Sequence, residues 1–176
     1  PTGTMISRAG LEKWVEYARA NGSVILFDAA YEVFIRDDAA LHSIYEIPGA
    51  DEVAVEFRSL SKTAGFTGLR CAYLVVPRKI RAVTSEGAEL NLYDMWLRRQ
   101  STKYNGCPYI VQRAAEAVFT EPGRTQIMKA VEIYRANAAM MLEEFRSLGL
   151  QAFGGENSPY IWLKTPSGMK SWDFFD

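Results

Sequence analysis

Between Ser59 and Arg70 the chain places one lysine, Lys62, among the hydroxyls of Ser59 and Ser61, the glycines Gly65 and Gly68, and the guanidinium of Arg70. A primary amine forms a Schiff base with a carbonyl cofactor such as pyridoxal 5'-phosphate (PLP). Hydroxyls, approachable backbone N–H groups and a guanidinium suit that cofactor's phosphate. Upstream, Phe27-Asp28-Ala29-Ala30-Tyr31 supplies two more groups. A carboxylate at Asp28 would face the pyridine nitrogen and keep it protonated, because an adjacent negative charge favours the N–H⁺ form. Tyr31 would donate a hydrogen bond to the ring's phenolate oxygen.

Taken singly, each residue has a plainer reading. Most lysines are solvated, an aspartate after a strand is often a cap or turn residue, buried tyrosines usually find some partner, and an arginine often pairs with a nearby carboxylate. The pattern around Lys62 is what favours the cofactor chemistry. His42, the single histidine, has no partner pattern around it and is assigned to structure. Without Cys/His spacing around Cys71 and Cys107, no metal site is expected, and both thiols are expected to be reduced, with Cys71 in a buried strand.

Positioning these groups requires a sheet. Ser7 is a helix cap, with Leu11, Trp14, Val15 and Ala18 on one face before Asn21-Gly22. Residues 23–28 form a nearly continuous apolar run, expected to be a strand buried on both faces of a parallel sheet, with Asp28 at its carboxyl end. Further strands are expected over 53–57 and 71–76, leading into and out of the Lys62 loop. In open α/β sheets ligands gather beyond the carboxyl ends of strands, where Asp28 and Lys62 are both expected. Helical patterns follow over 88–99 and 109–119, separated by the Tyr104–Pro108 loop. A long stripe from Ile127 through Val131, Tyr134, Ala138, Met141 and Leu142 to Leu148 predicts a linking helix that Gly149 stops. Short strands over 150–153 and 160–164 complete the pattern. The expected division is 1–122, a mostly parallel α/β domain, and 123–176, the linking helix and the start of a smaller α+β domain.

The 176 residues are 48% hydrophobic and 23% charged, ordinary globular material, and the net charge of −1 carries no electrostatic signature of nucleic acid or an anionic membrane. With no apolar run long enough to span a bilayer and no secretory pattern, a soluble, cytoplasmic protein without nucleic-acid or membrane partners is expected.

The spacing Ser-x-Ser-Lys, five residues, Gly-x-Arg, here Ser59, Ser61, Lys62, Gly68 and Arg70, closely resembles the PLP-dependent aminotransferases of fold type I. Within that superfamily the segments 27–32, 43–50, 64–68 and 103–106 look like the LL-diaminopimelate aminotransferase family, and 111–118 and 159–162 extend the similarity over the whole chain. The resemblance implies transamination between amino acids and 2-oxo acids, namely tetrahydrodipicolinate plus glutamate with LL-diaminopimelate plus 2-oxoglutarate. It implies Lys62 as anchor and proton carrier, Asp28 and Tyr31 as ring contacts, and Ser59, Ser61 and Arg70 as phosphate contacts. Asn105 would reach the phosphate of a neighbouring subunit, implying a homodimer with shared active sites. Another class I/II aminotransferase, a carbon–sulfur lyase and a catalytically silent PLP-binding module remain alternatives. By the same resemblance Pro1-Thr2-Gly3 looks like the tail of an Asn-Pro-Thr-Gly motif. The chain is therefore expected to be a central piece of its enzyme, inactive alone.

Overall fold

Ser7 opens the first element as expected: its side chain accepts from the Gly10 amide, and helix α1 runs Arg8–Asn21 until Gly22 turns into the left-handed region at φ 60°. The computed structural model describes residues 2–175. Strand β1 (Ile25–Asp28) follows, then a 3-10 turn at Glu32–Phe34, a second at Ile44–Glu46, and the short helix α2 (Ala50–Val53). Strand β2 (Ala54–Ser59) runs directly into helix α3 (Leu60–Thr63), and β3 (Ala72–Val75) returns from that loop. A hairpin of β4 (Arg81–Val83) and β5 (Glu89–Asn91) leads to the helices α4 (Leu92–Lys103), α5 (Tyr109–Val118) and α6 (Glu121–Ser147). A second hairpin, β6 (Ala152–Gly154) with β7 (Ile161–Leu163), precedes a 3-10 turn at Pro166–Gly168 and helix α7 (Ser171–Phe175).

The central sheet has the order β1-β2-β3. Strands β1 and β2 are parallel, with Asp28 opposite Phe57, while β2 and β3 are antiparallel, with Ser59 opposite Ala72. The architecture is α/β, and its parallel pair delivers Asp28 and Ser59 to the same end of the sheet. One face of the sheet packs Ile25, Phe27 and Ala54 against Leu11, Val15 and Ala18 of α1 and against Ile44 and Ile47. A smaller cluster of Leu60, Cys71, Val111 and Val118 joins the Lys62 loop to α5.

Several expectations are corrected. Strand β1 is not buried on both faces: Leu26 is 69% exposed, because the α1 core covers only the side that carries Ile25 and Phe27. Trp14 lies off the buried stripe of α1 and is exposed. The helix expected from residue 88 starts at Leu92. Residues 89–91 pair instead with 81–83 around a turn where Gly87 has φ 83°, and the Asn91 side chain caps α4 by accepting from the Tyr93 and Asp94 amides. Cys71 is buried but stands one residue before β3, its carbonyl accepting from the Leu60 amide.

Helix α6 begins at the Thr120 cap, before the Glu121-Pro122-Gly123 segment rather than after it. Of its long stripe only Val131, Ala138 and Leu142 are buried, while Tyr134, Met141 and Leu148 are exposed. Gly149, at φ 74°, does end it, and the Leu150 amide reaches back to the Phe145 carbonyl. Arg135 of α6 donates to the Val33 and Ile35 carbonyls, fastening the long helix to the segment that carries Tyr31. Among the described residues no helix is long and apolar enough to cross a membrane.

Candidate cofactor site

Lys62 is held by the transition from β2 to α3. Ser59 leaves the strand extended and accepts the Ser61 amide at 3.2 Å, nucleating one helical turn whose last residues are Lys62 and Thr63. The loop then closes on itself: the Phe66 amide donates to the Leu60 carbonyl and the Arg70 amide to the Phe66 carbonyl. Gly65 adopts φ 71°, the left-handed region that favours glycine. Arg70 takes the same region at φ 55°, an uncommon and costly conformation for a side-chain-bearing residue. Its guanidinium donates to the Thr67 carbonyl at 2.8 Å, so the loop itself holds the cation at its closing end.

The Lys62 ammonium stands 5.6 Å from the centre of the Tyr31 ring, within cation–π range. Tyr31 is fixed on its other side by Tyr160, the residue before β7. The two rings meet edge to face at 5.1 Å and their hydroxyls form a hydrogen bond. That bond to Tyr31 is the main reason the Tyr160 phenol is raised above its ordinary pKa, an effect the Lys62 charge opposes. Asp28 ends β1 with its carboxylate exposed, and Oδ1 accepts the Ala30 amide at 3.0 Å, which turns the chain toward Tyr31.

Two clefts meet at this tyrosine pair. One, of about 940 Å³, is lined by Ser61, Lys62 and Thr63 together with residues of α5 and α6. The other, of about 400 Å³, contains Asp28, His42 and Asn157. Tyr31 and Tyr160 line both, so the amine and the carboxylate flank a shared phenolic wall. Ser59 and Arg70 belong to the Lys62 loop but line neither cleft, and neither does Asn105. Asn105 sits after α4 at φ 67°, its amide bonded to the Gln100 carbonyl.

Behind Tyr31 lies a charged network that sequence reasoning missed. Glu56 of β2 is 2% exposed. Its carboxylate accepts from the Ser43 hydroxyl at 2.7 Å, the Ile44 amide at 3.0 Å and Arg58 Nε at 2.6 Å. Arg58 also donates to Glu32, next to Tyr31, and to the His42 carbonyl. Burial would lower the Arg58 pKa, but the Glu56 and Glu32 carboxylates outweigh it and raise the guanidinium. His42 sets Nδ1 against Glu32. Tyr160 was not assigned to the site from sequence either, since nothing in local spacing links it to Tyr31, 129 residues earlier. The residues present fit PLP: an amine beside a phenol, a carboxylate at the same sheet end, and hydroxyls and a guanidinium on the amine's own loop.

Residues 1–173 match the family model for aminotransferase class I and II. The chain belongs to that family. This class I and II aminotransferase chain is 56% identical over all 176 residues to the LL-diaminopimelate aminotransferases of Lawsonia intracellularis (strain PHE/MN1-00) and Bacteroides fragilis (strain YCH46), covering 43% of each. It thus spans less than half the length of those curated relatives. The solved L,L-diaminopimelate aminotransferase from Chlamydomonas reinhardtii superposes with a TM-score of 0.89 at 39% identity, over 99% of this chain and 42% of that one. The aromatic aminotransferase from Pyrococcus horikoshii OT3, at 21% identity and a TM-score of 0.72, covers 89% of this chain and 39% of its own and shares the fold. The α/β arrangement is the fold of the fold-type I aminotransferases.

Proposed function

We propose that the protein is a PLP-dependent LL-diaminopimelate aminotransferase, interconverting tetrahydrodipicolinate plus glutamate with LL-diaminopimelate plus 2-oxoglutarate. The identity of 56% across every residue of the chain carries this reading, and the placement of Lys62, Tyr31 and Asp28 supports it. PLP, when bound, supplies the electron sink that accepts the pair left behind when a proton leaves the substrate's α-carbon.

The chain's own residues do the rest. Lys62 Nζ would anchor the cofactor, and its amine would be the chain's own proton carrier at the substrate's α-carbon. Its neighbour Tyr31 would donate to the ring's phenolic oxygen, with Tyr160 orienting the Tyr31 hydroxyl through the hydrogen bond between them. Asp28 would sit against the pyridine nitrogen, where its carboxylate would favour the protonated ring that acts as a sink. Ser59, Ser61 and Arg70 would hold the phosphate, Arg70 with a planar guanidinium suited to bidentate pairing in a way that a lysine is not. Asn105 reaches the phosphate of the neighbouring subunit in a cytoplasmic homodimer with shared sites. Residues 1–122 belong to the large domain that binds the cofactor, and residues 123–176 comprise the linking helix and the beginning of the small domain.

The deciding experiment compares initial rates of the full-length protein on LL-diaminopimelate, aspartate, an aromatic amino acid and cystathionine. Preference for LL-diaminopimelate is expected. Equal or faster turnover of any of the others overturns the substrate assignment.

A further inference from the structure

The two cysteines lie 36 residues apart in sequence, yet Cys107 Sγ stands 3.7 Å from Cys71 Sγ, in contact. Both are free thiols. Cys71 directly follows Arg70 at the closing end of the Lys62 loop and is buried at 8% exposure; Cys107 is half-buried in the turn between α4 and α5, two residues after Asn105. Both pack in the cluster of Leu60, Val111 and Val118 that joins that loop to α5. Neither lines the cleft that contains Lys62, and the transamination chemistry uses no thiol. Among the described residues no group of three or more His, Cys, Asp or Glu side chains is placed to hold a metal ion, so the pair is not part of such a site.

From this juxtaposition we propose that Cys71 and Cys107 form a reversible redox modification site, a disulfide that ties the Lys62 loop to the turn before α5. The oxidant is a hydroperoxide. Cys107, the more accessible thiol, attacks the peroxide as its thiolate; the O–O bond breaks, the sulfur becomes a sulfenic acid, and one water is released. The sulfur of Cys71 then displaces the hydroxyl of that sulfenic acid, forming the S–S bond and releasing a second water. In sum two thiols lose two protons and two electrons, and hydrogen peroxide is reduced to two waters. Burial, followed by the hydrogen bond with Cys107, raises the Cys71 thiol above its ordinary pKa, which leaves the first attack to the more accessible Cys107. Closing the sulfurs to the bonded distance of about 2.05 Å requires a shift of under roughly 2 Å shared between two loops. Each loop also holds a left-handed non-glycine residue near its cysteine, Arg70 at φ 55° and Asn105 at φ 67°. A transient disulfide of this kind is the form expected of a redox-responsive thiol pair in a reducing compartment.

The test uses the full-length protein, treated with hydrogen peroxide, alkylated and mapped by mass spectrometry without reductant. The expected product is a Cys71–Cys107 cross-linked peptide lighter by two hydrogens, with both sites lost to alkylation together and regained with dithiothreitol. Cys107→Ser should abolish the cross-link while leaving Cys71 alkylatable. Peroxide treatment that leaves both thiols free overturns the proposal, as does oxidation of Cys107 to sulfinic acid without any cross-link. Since the readout is covalent mapping, it is independent of the substrate and cofactor assignments.

Discussion

Replacing Arg58 with methionine removes the guanidinium that contacts the buried Glu56 and tests the network behind the candidate site. The methionine approximates the stem's volume but leaves Glu56 Oε1 without its 2.6 Å partner, in a position where the residue is 2% exposed. The same change frees Glu32 from its 3.1 Å contact and the His42 carbonyl from its 2.6 Å donor. Uncoupling one partner of a buried ion pair costs about 3–5 kcal/mol, because the remaining charge stays desolvated. With a urea dependence of roughly 2 kcal/mol per molar, the unfolding midpoint should fall by about 1.5–2.5 M. The double variant Glu56→Gln/Arg58→Met should recover most of that loss, since a neutral amide still accepts from Ser43 and Ile44 without burying a charge. Urea titrations followed by circular dichroism on wild type, single and double variants measure both effects. A single variant within about 0.5 M of wild type, or a double variant no better than the single one, would refute the reasoning.

Two pH dependences follow from the same region. Tyr45 donates to the Ala54 and Val75 carbonyls, and burial, then the nearby Glu56 charge, pushes its phenol up to about 12. Its neutral form therefore contributes stability that is whole below the ordinary tyrosine value of about 10 and is lost as pH rises through about 12. Phenolate absorbance should lose its latest-titrating component in Tyr45→Phe, whereas identical curves would contradict the assignment. On the acid side, the Ser43 amide at 2.9 Å and the His42 amide at 2.8 Å hold the Glu46 carboxyl below its ordinary range. That stability is present above the ordinary glutamate pKa and is lost as pH falls through the lowered folded value. Glu46→Gln should flatten this part of the acid stability profile, and an unchanged slope would remove Glu46 from the account.

What the sequence made legible was mostly local. The cap at Ser7 and the stop at Gly149 each depend on a few consecutive residues, and the structure places both as expected; the hydroxyl-lysine-glycine-arginine loop is equally local, and of its residues Ser61 and Lys62 line a cleft while Ser59 and Arg70 do not. Strand β1 shows where local reading fails: its apolar run looks the same whether one face or two are covered, and Leu26 is exposed because the α1 core packs only on the Ile25 and Phe27 side. The helix boundary near residue 88 failed for a related reason, since the pairing of 89–91 with 81–83 competes with helix propensity until Asn91 caps α4. The role of Tyr160 and the Cys71–Cys107 contact depend on chain crossings of 129 and 36 residues, which carry no periodic signal.

The most direct test of the central claim is covalent. Borohydride reduction of the full-length protein with bound PLP, followed by peptide mapping beside a Lys62→Ala control, reads which amine holds the cofactor. A single pyridoxyl adduct on the peptide containing Lys62, absent from the folded Lys62→Ala protein, is the predicted result. An undiminished adduct in that variant, or one confined to another lysine, would contradict the assignment of Lys62 as the anchor.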